Sequence, residues 1–238
     1  MSTSSCTTGS PLPDPTVLII DDHDLVATAL AMTLRSAGLQ ARRHIVRSRE
    51  GVLLAIATLS PGVVLLDLDL GRNPDGTPID GTTLIEGMCR SGWRVLALSG
   101  TSDEARLGKA FAAGALAGIP KSAALPVLVT AVRRAAQGVE VMHPERRRQF
   151  IEAHLREQDR GRTLGRRLEK LTERERAVLD CLAQGRRAQS IAEEFVVSVT
   201  TVRTQIRAVL TKLEVGSQLE AVTLLFEYQR AARAAHPE

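Results

Sequence analysis

Val63-Val64-Leu65-Leu66-Asp67 is the stretch whose reading decides the fold. Four apolar residues without polar alternation read as a strand buried on both faces, and such strands belong to parallel sheets covered by helices. The aspartate that ends the run is then expected at the C-terminal edge of the sheet, where open α/β folds bind ligands. Three further runs share this design. Val17-Leu18-Ile19-Ile20 leads into Asp21-Asp22, Val95-Leu96-Ala97-Leu98 ends at Ser99, and the short Ile119-Pro120 ends at Lys121. Three carboxylates, a hydroxyl and an ammonium are expected to meet there. Unneutralised, such carboxylates repel, so the cluster calls for a divalent cation.

The intervals between these runs have helical spacing, over Leu25–Ala37, Arg49–Leu59, Thr82–Cys89, Asp103–Ala113 and Leu125–Ala136. Ala41–Val46 supplies a fifth, more polar strand. Alternating β and α predicts an α/β doubly wound parallel sheet of five strands over residues 16–141. The Gly-, Pro- and Asp-rich run from Gly71 to Gly81 reads as a loop. Residues 142–168 are rich in arginine, and Gly161 and Gly165 interrupt their one narrow apolar stripe. They read as a basic linker, partly helical and partly mobile. Residues 169–232 lack strand alternation and read as an all-α domain. Residues 1–15, rich in Ser, Thr and Pro, read as a disordered tail rather than a signal peptide.

Composition narrows the classes. The chain has 238 residues, 44% of them hydrophobic and 3% aromatic, so Ala, Val and Leu do most of the packing. No apolar run reaches the ~18 residues of a membrane span. Cys6, Cys89 and Cys181 show no metal-ligand spacing, and an odd, sparse set fits reduced thiols in a cytosol. Residues 1–140 hold 13 basic and 13 acidic side chains, while residues 141–238 hold 18 and 14, so the whole formal charge of +4 sits in the second part. A neutral part followed by a basic one suggests that the second meets a polyanion.

The chemistry that suits Asp67 is phosphoryl transfer to a carboxylate oxygen. Charge develops on the phosphoryl oxygens, and Mg²⁺ and a lysine neutralise it. Asp22 and Asp67 are expected to bind the metal directly, Asp21 through water, and Asp69 through its backbone carbonyl. Lys121 is expected to pair with the phosphoryl group, and Ser99 to donate a hydrogen bond to it. Val-Leu-Ile-Ile-Asp-Asp-His (17–23), Val-Val-Leu-Leu-Asp-Leu (63–68), Leu-Ala-Leu-Ser-Gly (96–100), Ala-Gly-Ala (113–115) and Ile-Pro-Lys-Ser (119–122), in this order and spacing, resemble the receiver domain of two-component response regulators. The resemblance implies phosphorylation of Asp67 by a cognate histidine kinase, with Mg²⁺ as cofactor. Two departures stand out. The run 71–78 lengthens the loop after Asp67, and Gly118 occupies the position, three before the lysine, where the family often carries an aromatic switch. Any switching here is expected to use shifts of the nearby helix and strand.

In the second part, Thr172 and Glu175 have capping-box spacing, and the helix they open runs to Gly185. A second helix follows over about Ala188–Phe195, and Ser198 is placed to cap a third, about Val199–Leu213. At 100° per residue Val202, Ile206, Val209 and Leu213 share an arc of about 60°. Thr200, Arg203, Thr204, Arg207 and Thr211 share another arc of about 100° that holds no acid. Arginines one turn apart on an exposed helix suit guanine edges in the DNA major groove. Leu-Thr-Glu-Arg-Glu-Arg-Ala-Val-Leu (171–179), Ile-Ala-Glu-Glu-Phe (191–195), Ser-Val-Thr-Thr-Val-Arg-Thr-Gln-Ile (198–206) and Lys-Leu-Glu-Val (212–215) resemble the LuxR-type helix-turn-helix. The resemblance implies base contacts from Arg203, Thr204 and Arg207, and phosphate contacts from Ser198, Thr200, Thr201 and Lys212.

Both halves occur together in NarL/FixJ-type response regulators. The expectation is a cytoplasmic transcription factor and not an enzyme. Its partners would be double-stranded DNA, a histidine kinase and a second copy of itself when active, with RNA polymerase a further candidate and no membrane. Two alternatives are an orphan regulator that binds DNA without phosphorylation and, from Asp67-Leu-Asp69, a haloacid-dehalogenase-like phosphatase.

Overall fold

A computed structural model describes residues 16–100 and 104–235. The 1–15 tail expected from sequence lies outside the described residues. Strands β1 (Val17–Asp21), β2 (Ala41–Ile45) and β3 (Val63–Asp67) come first, followed by β4 (Asp69–Arg72) and β5 (Pro78–Asp80), then β6 (Arg94–Ser99) and β7 (Ala117–Pro120). Five of them form a parallel sheet in the order β2-β1-β3-β6-β7. Helices α1 (Asp24–Ser36), α2 (Arg49–Thr58), α3 (Thr82–Arg90), α4 (Glu104–Ala112) and α5 (Leu125–Ala136) connect them.

Period-two alternation sorts the strand residues onto two faces. Leu18, Ile20, Val64, Leu66, Val95 and Ala97 pack with α2, α3 and α4. Val17, Ile19, Val63, Leu65, Leu96 and Leu98 pack with α1 and α5. Leu65 and Leu66 are fully buried on opposite faces, each contributing about 1.5–3 kcal/mol by leaving water. In β1, β3 and β6 this two-sided burial explains the unbroken apolar runs and leaves polar side chains only at the strand tips, whereas the edge strand β2 exposes Arg42 and Arg43.

The structure corrects three expectations. The run after Asp67 is not an irregular loop: β4 and β5 pair antiparallel into a hairpin. Leu70 and Ile79 carry it into the core at 1% and 2% exposure. The linker is not broken at its glycines. Pro144–Glu169 is one 26-residue helix, α6. Gly161 and Gly165 lie where it meets the last helix, since a Cβ there would sit 3.0 Å from Ala231 Cβ and 3.1 Å from Tyr228 Cε2. Close packing against a neighbouring helix overrides the modest cost of helical glycine. Reduced thiols are expected throughout, yet among the described residues Cys181 is free while Cys89 is disulfide-bonded.

The chain divides into two compact units between His154 and Leu155. In the first, the opening turns of α6 cover α4. Arg147 donates to the carbonyls of Ala115 and Phe111 at 3.0 and 3.1 Å. Phe150 meets Phe111 edge to face at 5.5 Å. In the second unit, Leu164 and Leu168 of α6 pack with α7 (Glu173–Ala183), α9 (Val199–Leu213) and α10 (Gln218–Ala235). Helix α8 (Ala188–Glu194) closes a neighbouring cluster through Ile191 and Ala192. The capping box between Thr172 and Glu175 is formed in both directions.

Candidate functional site

Side chains from four strand tips meet at the C-terminal edge of the sheet. Asp21 ends β1, Asp67 ends β3, Ser99 ends β6, and Lys121 follows β7. Parallel register sets their levels: Asp67 lies opposite Leu98, so Ser99 stands one residue further out, opposite Pro120. The Lys121 ammonium bonds Asp67 Oδ2 and sits 3.1 Å from Asp21 Oδ2. Asp21, Asp67 and Ser99 are 2%, 4% and 6% exposed, so three polar groups are held largely out of water, where they need partners.

Ligand atoms of Asp21, Asp22, His23 and Asp67 lie within 4.8 Å of one another. Asp21 Oδ1 accepts the His23 amide at 2.8 Å. Its buried Oδ2 faces the Lys121 ammonium as an ion pair. Three carboxylates converging within 4.8 Å, two of them buried, fit a hard divalent cation. Asp69 takes a different place. Its carboxylate accepts the Gly71 amide at 3.3 Å, and its own amide donates to Asp67 Oδ1 at 3.2 Å. The Gly81 amide donates to the Leu68 carbonyl at 3.0 Å, so Asp69 faces Asp80 as a non-hydrogen-bonded pair. The Asp69 carbonyl therefore stays out of the hairpin ladder.

Burial pushes the Asp67 carboxyl up, and the bonds from Lys121 and the Asp69 amide oppose it without cancelling it. For Lys121, burial favours the neutral amine, but Asp67 and Asp21 outweigh it and its pKa is raised. Each group therefore favours the charged form of the other. Beside them, α4 reaches the site through Arg106, which donates to the Leu68 carbonyl at 3.0 Å. Lys109 bonds Asp80 of the hairpin at 2.7 Å. Burial would raise the Asp80 carboxyl, but the bonds from Lys109 and Thr82 hold it below its usual value.

In the second unit, the Ser198 hydroxyl accepts the Thr201 amide at 3.0 Å and so caps α9. Val202, Ile206, Val209 and Leu213 are buried. Thr200, Thr201, Arg203, Thr204 and Arg207 are exposed. The Thr204 and Thr211 hydroxyls donate to carbonyls one turn back, each at 3.0 Å. Lys212 is placed apart from this face. Its ammonium bonds Glu175 at 2.7 Å, and the same oxygen accepts the Thr172 amide at 2.8 Å.

Residues 17–133 match the response regulator receiver domain family, and residues 169–225 the family of bacterial regulatory proteins, luxR family. The transcriptional regulatory protein LiaR of Bacillus subtilis (strain 168) is 30% identical over 86% of this chain and 93% of its own length. The chain belongs to the NarL/FixJ-type response regulators. Response regulator protein VraR of Staphylococcus aureus (strain Mu3 / ATCC 700698) is 29% identical over 89% of this chain and 96% of its own. Among solved structures, full-length FixJ from B. japonicum has a TM-score of 0.44 at 23% identity, covering 92% of this chain and 99% of that one.

This response regulator carries features that sequence reading passed over. His23 joins the acidic pair, its Nδ1 lying 2.7 Å from Asp22 Oδ1, and the Asp22 charge raises its pKa. Its place directly after two aspartates was the available signal. At Gly118, a Cβ would sit 2.5 Å from Leu107 Cδ2 and 3.4 Å from Phe111 Cζ. Helix α4 of this regulator thus fills the space where a side chain at position 118 would begin. Among the described residues, no helix is long and apolar enough to cross a membrane.

Proposed function

We infer that this response regulator accepts a phosphoryl group on Asp67 from the phosphohistidine of a cognate histidine kinase, and that the phosphorylated chain regulates transcription from operator DNA. The observation that carries this reading is the meeting of Asp67 with Lys121 and Asp21 at one sheet edge. A carboxylate oxygen of Asp67 attacks phosphorus, the bond from phosphorus to the donor imidazole nitrogen breaks, and an acyl phosphate forms. The imidazole leaves with the bonding electron pair and takes a proton. Lys121 shifts from the carboxylate to the new phosphoryl oxygens, and the Ser99 hydroxyl donates to them. Asp21, Asp22 and Asp67, with the Asp69 carbonyl, would hold Mg²⁺. When bound, that ion neutralises charge on the phosphoryl oxygens.

The output is α9 in the major groove. Arg203 and Arg207 read guanine edges, Thr204 contacts a base, and Ser198, Thr200 and Thr201 contact phosphates. Lys212 reaches a phosphate only by sharing its ammonium with Glu175. The active species is a homodimer in the cytoplasm, with RNA polymerase as a further partner. Phosphorylation acts by favouring the DNA-competent arrangement over the other. The test is acetyl phosphate with Mg²⁺ followed by a phosphate-affinity gel. The wild type shifts and Asp67→Asn does not. Equal labelling of both removes Asp67 as the acceptor. No labelling of either, with DNA binding intact, favours the orphan regulator. Turnover of phosphoesters would favour the phosphatase.

A further inference from the structure

We propose that the β4–β5 hairpin is a fixed back wall to the acidic pair, and that Gly71 in it sets the position of Asp22, tuning the site to a small cation. The proposal rests on reading the acidic cluster as a Mg²⁺ site and adds what this chain's inserted segment does there. Backbone placement carries the argument. Gly71 has φ +71°, and a Cβ on it would sit 3.1 Å from Asp22 Oδ2 and 3.6 Å from Asp22 Cβ. The hairpin backbone therefore lies directly against the carboxylate. The other oxygen of Asp22, Oδ1, lies 2.7 Å from His23 Nδ1. Both oxygens of the exposed member of the acidic pair thus have a close neighbour.

The wall is braced where it would otherwise yield. Leu70 and Ile79 are buried. The Asn73 side chain accepts the Arg49 amide at 2.9 Å, tying the hairpin to the first turn of α2. Asp80 is tied to Lys109 of α4 at 2.7 Å. Within the tip, the Asn73 amide donates to the Thr77 carbonyl at 2.8 Å, and Gly76 to Asn73 at 2.9 Å. A flap meant to open would not be anchored to two helices and the core.

Cation size makes this testable. Mg²⁺ demands near-ideal octahedral geometry at about 2.0–2.1 Å, whereas Ca²⁺ accepts flexible shells at about 2.3–2.6 Å. A Cβ on Gly71 shifts Asp22 by a few tenths of an ångström, which the smaller ion tolerates less. Gly76 supplies the control. It lies in the same hairpin with φ +85° and has nothing within 4 Å. Gly76→Ala therefore carries the backbone strain without touching Asp22.

The experiment is calorimetric titration of the full chain with MgCl₂ and, separately, CaCl₂. The wild type, Gly71→Ala, Gly76→Ala and Asn73→Ala are compared, and folding is checked by circular dichroism. Relative to Gly76→Ala, Gly71→Ala weakens Mg²⁺ by about tenfold, the size of an outer-shell effect, and Ca²⁺ by less. Asn73→Ala frees the tip from α2 and moves Mg²⁺ affinity in the same direction. If Gly71→Ala does not fold, Asn73→Ala decides alone. Mg²⁺ affinity in the folded variants equal to that of Gly76→Ala, or equal losses for both ions, overturns the proposal. A wild type that takes up no Mg²⁺ instead overturns the underlying reading of the site.

Discussion

Gly108→Ala sets two physical effects against each other. In an open helix interior, replacing glycine by alanine gains about 1 kcal/mol. Gly87 of α3, with nothing within 4 Å of its would-be Cβ, should show that gain. At Gly108, in α4, the new methyl would sit 2.7 Å from the Phe150 carbonyl oxygen and 2.8 Å from His154 Cβ. Backbone stands in the way, so α6 must shift. Overpacking of this kind costs about 1–3 kcal/mol. Lifting the helix instead gives up the Phe111–Phe150 ring pair, worth about 0.5–1.5 kcal/mol. It also gives up two Arg147 hydrogen bonds, at about 0.5–1.5 kcal/mol each. Either route loads the opening turns of α6, while the propensity gain belongs to α4. Local opening of residues 147–154 should therefore become easier by about 1–3 kcal/mol, or about 5- to 150-fold in amide exchange. Hydrogen exchange with peptide resolution reads this directly, with Gly87→Ala as reference. Unchanged or slower exchange over 147–154 in Gly108→Ala would refute the claim that these turns are packed on α4.

Other outcomes follow from single sites. Val196 is 89% exposed with φ +54°, a conformation that costs an L residue about 1–2 kcal/mol. Val196→Gly should raise the calorimetric midpoint of the helical unit by a few degrees, and a fall would contradict the strain. Arg203→Ala and Arg207→Ala should each weaken specific DNA binding by about 1–3 kcal/mol and relax sequence preference at one base. Equal affinity on the true operator rejects the groove assignment. The Lys212 ammonium and the Thr172 cap hold the Glu175 carboxyl below its usual value near 4.5. A depressed folded pKa gives stability that is present above the unfolded value and lost as pH falls through the folded one. Acid titration of the helical unit should lose stability below about pH 4.5, and Glu175→Gln should flatten that loss. An unchanged slope would mean that the Lys212 contact does not persist in solution.

The parallel sheet was legible because burial on both faces forces unbroken apolar runs, and because those runs carry polar residues only at their tips. Asp21, Asp67, Ser99 and Lys121 could be set at one edge on that ground alone. The face of α9 was equally plain, since Val202 to Leu213 keep a strict helical period. The hairpin was not. Its strands have four and three residues, and Gly, Pro and Asp dominate the span, so local chemistry spoke only of turns. Nor was the continuity of α6. Gly161 and Gly165 look like breaks until Ala231 and Tyr228, more than sixty residues later, are found against them. His23 was hidden for a third reason: a histidine after two acids gains meaning only once its side chain is seen folded back onto Asp22. Contacts distant in sequence, or chosen by rotamer, leave no periodic trace.

Phosphoryl transfer to Asp67 requires one hard-cation site among Asp21, Asp22 and Asp67. Mn²⁺ shares the oxygen-ligand preference of Mg²⁺ and is paramagnetic, so substoichiometric Mn²⁺ added to isotope-labelled chain marks the site by line broadening. Selective loss of the amide signals of residues 21–23, 67–71 and 121 is expected, reversed by excess Mg²⁺. Broadening centred elsewhere, or none at all, would contradict that placement.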